Sequence, residues 1–407
     1  MIAGIGESVS QSTVKRRGVL GLTAAAAGTL LYGRARAADE TIKIGVVVPL
    51  AGAFAASGQD VLHGAQLAAD EINAAGGISA IGGRKIELLV GDAGQSPETA
   101  VTTARRILNA QPVAAIGSWY SALTLAATEV AEQKKIPWLT GSGADSIVSR
   151  GFQYVYQISA GSAASAQGLI DAIAIAGSGN ERLALLMDNN AVNVDVRAFL
   201  KKRITAPIVS EQTWTPPLSD ATPAVSAVMQ SRPTVICLGA TSTTDQALVL
   251  KQLAAQGNKA LIVMGASSAA NPSFLDAVGT AAMEGLLVVT PVSFPGKGAD
   301  AVNRKFAQAT KLAFMDCEAL TGYVNINIVA QALQKAGAAN SAAVQQALKT
   351  LDVTDVPALA LLPGGSRLRF GLNGRREGAV VELLQWQDGR PRVVDPPDVA
   401  NGKLKKA

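Results

Sequence analysis

The sequence predicts an α/β fold in which parallel sheets are covered by helices on both faces. Two observations carry that prediction. Short β-branched runs alternate with helical stretches along most of the chain, the pattern of strand–helix–strand crossovers. The first run, Ile42 to Leu50, feeds a small-residue loop at a strand's carboxyl end, where open α/β sheets take their ligands. Length adds a third point: about 370 residues remain after a leader-like start, more than one core usually supports, so two lobes are expected.

The elements follow in order. After the strand-forming run Ile42–Leu50 and the loop Ala51–Gly58, a helix is predicted over His63–Asn73, stopped by Ala75-Gly76-Gly77-Ile78. Strand Lys85–Val90 leads into Gly91-Asp92. Then come helix Pro97–Asn109, strand Val113–Ile116 and helix Ser121–Lys134, whose Leu123, Ala126, Ala127 and Val130 share a face. Strand Ile136–Leu139 ends in the loop Thr140–Asp145. A second alternating series runs from helix Ala163–Ala176 to strand Ala260–Met264, and strand Gly285–Val289 precedes a proline-flanked segment, Thr290–Pro295. Helices Ala299–Leu312, Cys317–Ala336 and Ser341–Leu351 and a β-type end, Val380–Trp386, complete the chain.

Residues 1–37 form an export signal. Lys15-Arg16-Arg17 is followed by an apolar run, Gly18–Leu31, too short to span a bilayer comfortably. Ala35-Arg36-Ala37 offers a small-x-small cleavage site, so the mature chain would start near Ala38 in the periplasm. Paired arginines suit the twin-arginine route, but Lys15 stands where that motif usually has Ser or Thr, and the general secretory route stays open. The leader carries most of the net charge of +5, leaving about +1 on the mature chain and no footprint for nucleic acid. Cys237 and Cys317 stand in apolar settings that favour buried free thiols over a disulfide. A single histidine, His63, rules against a His-based metal site or a Ser-His-Asp triad, and no cofactor is predicted.

Together these residues resemble the leucine/isoleucine/valine-binding family of type I periplasmic binding proteins, the receptors of ABC importers. The likeness is carried by Ile44-Gly45 through Pro49-Leu50-Ala51-Gly52, by Glu71-Ile72-Asn73-Ala74-Ala75-Gly76-Gly77-Ile78, and by Gly91-Asp92 with Ser96-Pro97. It continues through Ile116-Gly117-Ser118 with Ser121, Ile136-Pro137, Arg150-Gly151-Phe152 and Glu284-Gly285-Leu286. The resemblance implies two doubly wound parallel-sheet lobes joined by three hinge crossovers, near Gln157–Gly161, Thr290–Pro295 and Leu361–Phe370. Lobe one would hold residues 38–158 and 293–363, and lobe two 159–292 and 364–407. A small solute would sit between them, and the partners would be that solute and the membrane permease of an ABC transporter, with the receptor a monomer.

The resemblance also implies a ligand set. Ser121 fits the family's carboxylate-binding serine; the same residue is equally placed to cap a helix. Ser142 matches a position that offers its main-chain carbonyl, and Ala144 stands where a threonine is expected. Phe54, Trp119 and Tyr120 would wall the cleft; Ser242 and Ser267 represent lobe two, and Tyr323 completes the set. Lobe two departs from the pattern: Asp188-Asn189-Asn190 is followed by no tyrosine, and Ala266-Ser267-Ser268 supplies no acid for a ligand ammonium. Asp145, Asp188 and Asp245 are the candidates to compensate. Without one, carboxylates and amides compete with amino acids as ligands. An exported enzyme and a sensor lobe for a signalling partner are the other classes weighed; no Gly-x-Ser-x-Gly or metal-ligand cluster supports the first, and no extra domain the second.

Overall fold

The computed structural model describes residues 41–291, 294–354, 356–362 and 367–405, with Met1 and Gly4. The export signal and its cleavage point near Ala37 lie outside the described residues, as do Val292, Ser293 and residues 363–366 of the expected crossovers.

Five strands build the first sheet: β1 (Ile42–Val48), β2 (Ile86–Asp92), β3 (Ala114–Gly117), β4 (Trp138–Thr140) and β5 (Val155–Gln157). Their order is β2-β1-β3-β4-β5 and every pairing is parallel. Strand alternation sorts the side chains. Ile42, Ile44, Val46 and Val48 join a core with helices Ala55–Ala74 and Cys317–Ala336, while Val47, Ala115 and Trp138 pack with helices Pro97–Asn109 and Ser121–Lys134. The first of these cores is closed by two glycines. A Cβ on Gly64 would lie 1.8 Å from the Ala319 carbonyl oxygen, and one on Gly322 would lie 2.0 Å from that of Val61. Only glycine lets the two long helices approach so closely.

The second sheet gathers β6 (Leu183–Asp188), β7 (Ile208–Trp214), β8 (Val235–Gly239), β9 (Leu261–Met264) and β10 (Leu287–Thr290) from one stretch of chain. After a two-stranded ribbon, β11 (Asp352–Thr354) with β12 (Arg367–Arg369), it is completed by β13 (Glu382–Gln387) and β14 (Arg390–Asp395). The order is β14-β13-β10-β9-β8-β6-β7. One expectation is corrected here: this sheet is not purely parallel, because β13 runs antiparallel to β10 and to β14. The second pairing has a local cause. Asp388 and Gly389 both take positive φ, 55° and 74°, the two-residue turn whose twist suits a hairpin.

Three passages link the lobes, and they are tied together. The Ala160 N–H donates to the Pro291 carbonyl at 2.8 Å, joining the first to the second. The Gln157 N–H donates to Gly374 O at 2.9 Å and the Arg376 N–H to Gln157 O at 2.8 Å, joining the third to the first. Leu368 and Phe370 are packed in the first lobe's core, so the third passage lies beyond the Leu361–Phe370 suggested by the sequence. A second difference concerns the opening loop. Residues 52–54 form a 3-10 turn and the first helix starts at Ala55, eight residues before its predicted start, because the small residues there sit close against the end of β1. Both cysteines are buried free thiols, as expected.

Candidate functional site

Each sheet presents the point where its strand order reverses to a cleft between the lobes, which holds a cavity of about 50 Å³ partly open to solvent. On the first lobe, β3 ends at Gly117, whose φ of 112° and whose 2.1 Å clearance from Val47 O for any Cβ exclude other residues. The turn aims the start of helix Ser121–Lys134 at the cleft. Amide groups in that first turn lack helical partners, and the helix dipole adds positive potential, so the position suits an anion. Ser121 lines the cavity and lies 2.9 Å from Ser142, hydroxyl to hydroxyl. Trp119 forms the adjoining wall with its indole N–H buried and unpartnered. Gly141, Gly143, Glu318 and Thr321 complete this side.

The second lobe contributes Asn190, Val192, Asn193, Thr241 and the segment Gly265–Ser268. Asp188 fixes these loops. Its carboxyl accepts from the Asn190 N–H at 3.0 Å, Asn193 Nδ2 at 2.6 Å and the Thr241 N–H at 2.7 Å. Burial raises its pKa and those bonds oppose the rise.

The nine residues singled out from the sequence divide into four groups. Trp119, Ser121 and Ser267 line the cavity. Phe54 and Tyr120 stand behind them, stacked at 4.2 Å in the core, and burial followed by the Asp188 and Asp245 charges raises the Tyr120 phenol. Ser142 reaches the cavity through Ser121, and Ser242 bridges the lobes by donating to Ala53 O at 3.4 Å. Ala144 and Tyr323 are not in the cavity wall. Ala144 is buried against Ile147, Val148 and Val155, and the Tyr323 hydroxyl is given to Glu71 Oε2 at 2.6 Å on the far side of the helix. The three acids weighed as ammonium partners are all engaged elsewhere: Asp145 binds Arg375, Asp188 holds loops, and Asp245 accepts from Trp214 Nε1 and the Leu218 N–H.

The sequence profile of the periplasmic binding protein family matches residues 41–389. The chain belongs to that family. Among curated relatives, a Leu/Ile/Val-binding protein homolog from Brucella melitensis is 28% identical over 392 residues, covering 91% of this chain and 94% of the relative. Among solved structures, a branched-chain amino acid transporter substrate-binding protein from Streptococcus pneumoniae, in complex with isoleucine, aligns with a TM-score of 0.74 at 21% identity, covering 86% of this chain and 98% of that one. A solute-binding protein from R. palustris in complex with benzoate aligns equally well, TM-score 0.74 at 17% identity, over 90% of this chain and 100% of that one. At these identities the solved structures establish the two-lobe fold of a type I periplasmic binding protein. Among the described residues no helix is long and apolar enough to cross a membrane.

Among the cavity residues of this periplasmic binding protein that sequence reasoning missed, the most consequential is Glu318. It lies in the first turn of helix Cys317–Ala336, is 2% exposed, and lines the cavity. Its Oε1 accepts from Ser267 of the other lobe at 2.7 Å. Asp60 and Asp316 lie beside it and are both bound by Asn271 Nδ2, at 2.5 and 2.7 Å. These are contacts across the cleft, so the lobes stand closed. Burial first, and the neighbouring acids next, raise Asp316 well above the carboxylate range. Burial pushes Glu318 up to about 7 against the Ser267 hydrogen bond. The signal was faint because an acid in a first helical turn reads as a dipole partner.

Proposed function

We propose that this protein is the extracytoplasmic receptor of an ABC importer, capturing a small amino acid-like or carboxylate solute and delivering it unchanged to a membrane permease. In this reading the chain is exported, its signal is removed near Ala37, and it works in the periplasm as a monomer without enzymatic turnover. One lobe comprises residues 41–158 with 299–354, 356–362 and 367–370, and the other 159–291 with 294–298 and 377–405. The observation that carries the reading is the cavity enclosed where both sheets reverse order, with Ser121 at a helix start on one wall and lobe-to-lobe hydrogen bonds beside it.

Ser121 and the helix start would take the ligand carboxylate, Ser142 would orient the Ser121 hydroxyl, and Trp119 would cover the apolar part of the solute. Closure follows if the ligand binds the shut form better than the open one by a few kcal/mol. A second reading within the same class, an amide or aromatic or aliphatic carboxylate in place of a branched-chain amino acid, is supported by the lobe-two loop at Gly265–Ser268, which carries no charge. A thermal-shift screen of amino acids, aromatic acids, short-chain acids and amides tests the proposal. Ligands of a receptor raise the melting temperature by mass action. A screen in which no small carboxylate or amide raises it contradicts the receptor reading.

A further inference from the structure

The contact beside the cavity contains three carboxyl groups and little to neutralise them. Asp60, Asp316 and Glu318 are 5%, 1% and 2% exposed, and both amide hydrogens of Asn271 are spent on the first two. From helix Ala55–Ala74 the remaining titratable neighbour is His63, whose Nδ1 lies 3.8 Å from Asp60 Oδ1. From helix Cys317–Ala336 it is Cys317, itself facing Glu382 of β13. The facing loop of lobe two presents only neutral Ser267, Ser268 and Asn271. No lysine or arginine enters the field around Asp316 or Glu318. Acids this close in a dry site cannot all be ionised, so the contact holds at least one proton.

Glu318 is the member of the cluster that meets the cavity, and its Oε2 is buried with no N–H or O–H of the fold donating to it. We propose that Glu318 faces the captured solute as a neutral carboxylic acid, giving its O–H to a ligand oxygen, so that the preferred solutes are carboxylates with a further oxygen acceptor and no ammonium. This rests on the receptor reading above and names the ligand class of that same cleft. A neutral carboxyl has one O–H donor and is a poor partner for a cation. With the carboxylate end on Ser121, the solute would present an oxo, hydroxyl or second carboxyl oxygen to Glu318.

The sign of the pH dependence follows. Closure removes water from Glu318, and in the closed cleft burial pushes it up to about 7. A group whose value rises on closure favours the closed form below the open value and stops doing so as pH climbs through the closed value. Burial and the neighbouring acids raise Asp316 as well, so the cluster as a whole resists ionisation.

Calorimetry on the mature protein with leucine and phenylalanine, each beside its oxo- and hydroxy-acid counterparts, tests the proposal. The oxygen acids are expected to bind more tightly than the amino acids, with affinity falling by up to about tenfold per pH unit as pH climbs toward about 7 and levelling off above it. Glu318→Ala is expected to lose at least about tenfold, and Glu318→Gln, which keeps a donor, to restore binding and flatten the pH profile. Tighter binding of the amino acids, abolished by Glu318→Gln, overturns this inference and leaves the receptor reading intact. Binding of none of the six to folded wild-type protein overturns this inference, while the receptor reading stands or falls with the wider thermal-shift screen.

Discussion

Ser121 and Ser142 touch through their hydroxyls at 2.9 Å, and only the first opens on the cavity. Replacing both with alanine is expected to weaken ligand binding about tenfold or more, since one hydrogen bond to a charged group is worth about 1.5–3 kcal/mol. The melting temperature of the ligand-free protein should hardly move, and calorimetry that finds unchanged affinity would remove the pair from the site. Ser121 was legible because Gly117-Ser118 after a strand and before an amphipathic run fixes both the turn and the helix start. Asn190, Thr241 and Glu318 were not. Their importance depends on which lobe faces which, and no local pattern records a contact between residues as distant in sequence as Ser267 and Glu318. Ala144 and Tyr323 fail as wall residues for the same reason: a family position was carried over, but burial in one case and the Glu71 hydrogen bond in the other turn them elsewhere.

At the scale of elements, the helix pair Ala55–Ala74 and Cys317–Ala336 holds the first lobe together and also delivers Asp60, Asp316 and Glu318 to the cleft. Gly322→Ala puts a methyl group against Val61 O and should cost about 1–3 kcal/mol through overpacking. A chemical-denaturation midpoint equal to wild type would show that the helices do not cross as described. The periodicity of the second helix marked its bounds, Cys317 to Ala336, as the structure has them. Apart from β5, which was not read, the alternating strands were placed to within a few residues for a similar reason, since β-branched runs between turn signals leave few alternatives. The hairpin β13–β14 was only half visible. Its first strand was read, but Asp388-Gly389 was not taken as the turn that reverses the chain into β14. Helices Pro272–Val278 and Thr280–Met283 are too short for periodicity to declare them.

For the whole molecule, closure rests on few contacts, and Asn271 makes two of them. Its side-chain oxygen also caps the helix that follows, accepting from the Ser273 N–H at 2.8 Å. Asn271→Asp keeps the cap but replaces the donor facing two carboxyls with a third acid. The expected result is a folded protein with ligand affinity lowered at least about tenfold, more at alkaline than at acid pH. Affinity equal to wild type at both would mean that the contact does not govern closure. The most direct measurement is small-angle X-ray scattering of the mature protein, free and saturated with a solute found by thermal shift. Capture between two moving lobes predicts a smaller radius of gyration when the ligand is bound, with the solute recovered intact afterwards. The same radius in both states, or a chemically altered solute, would contradict it.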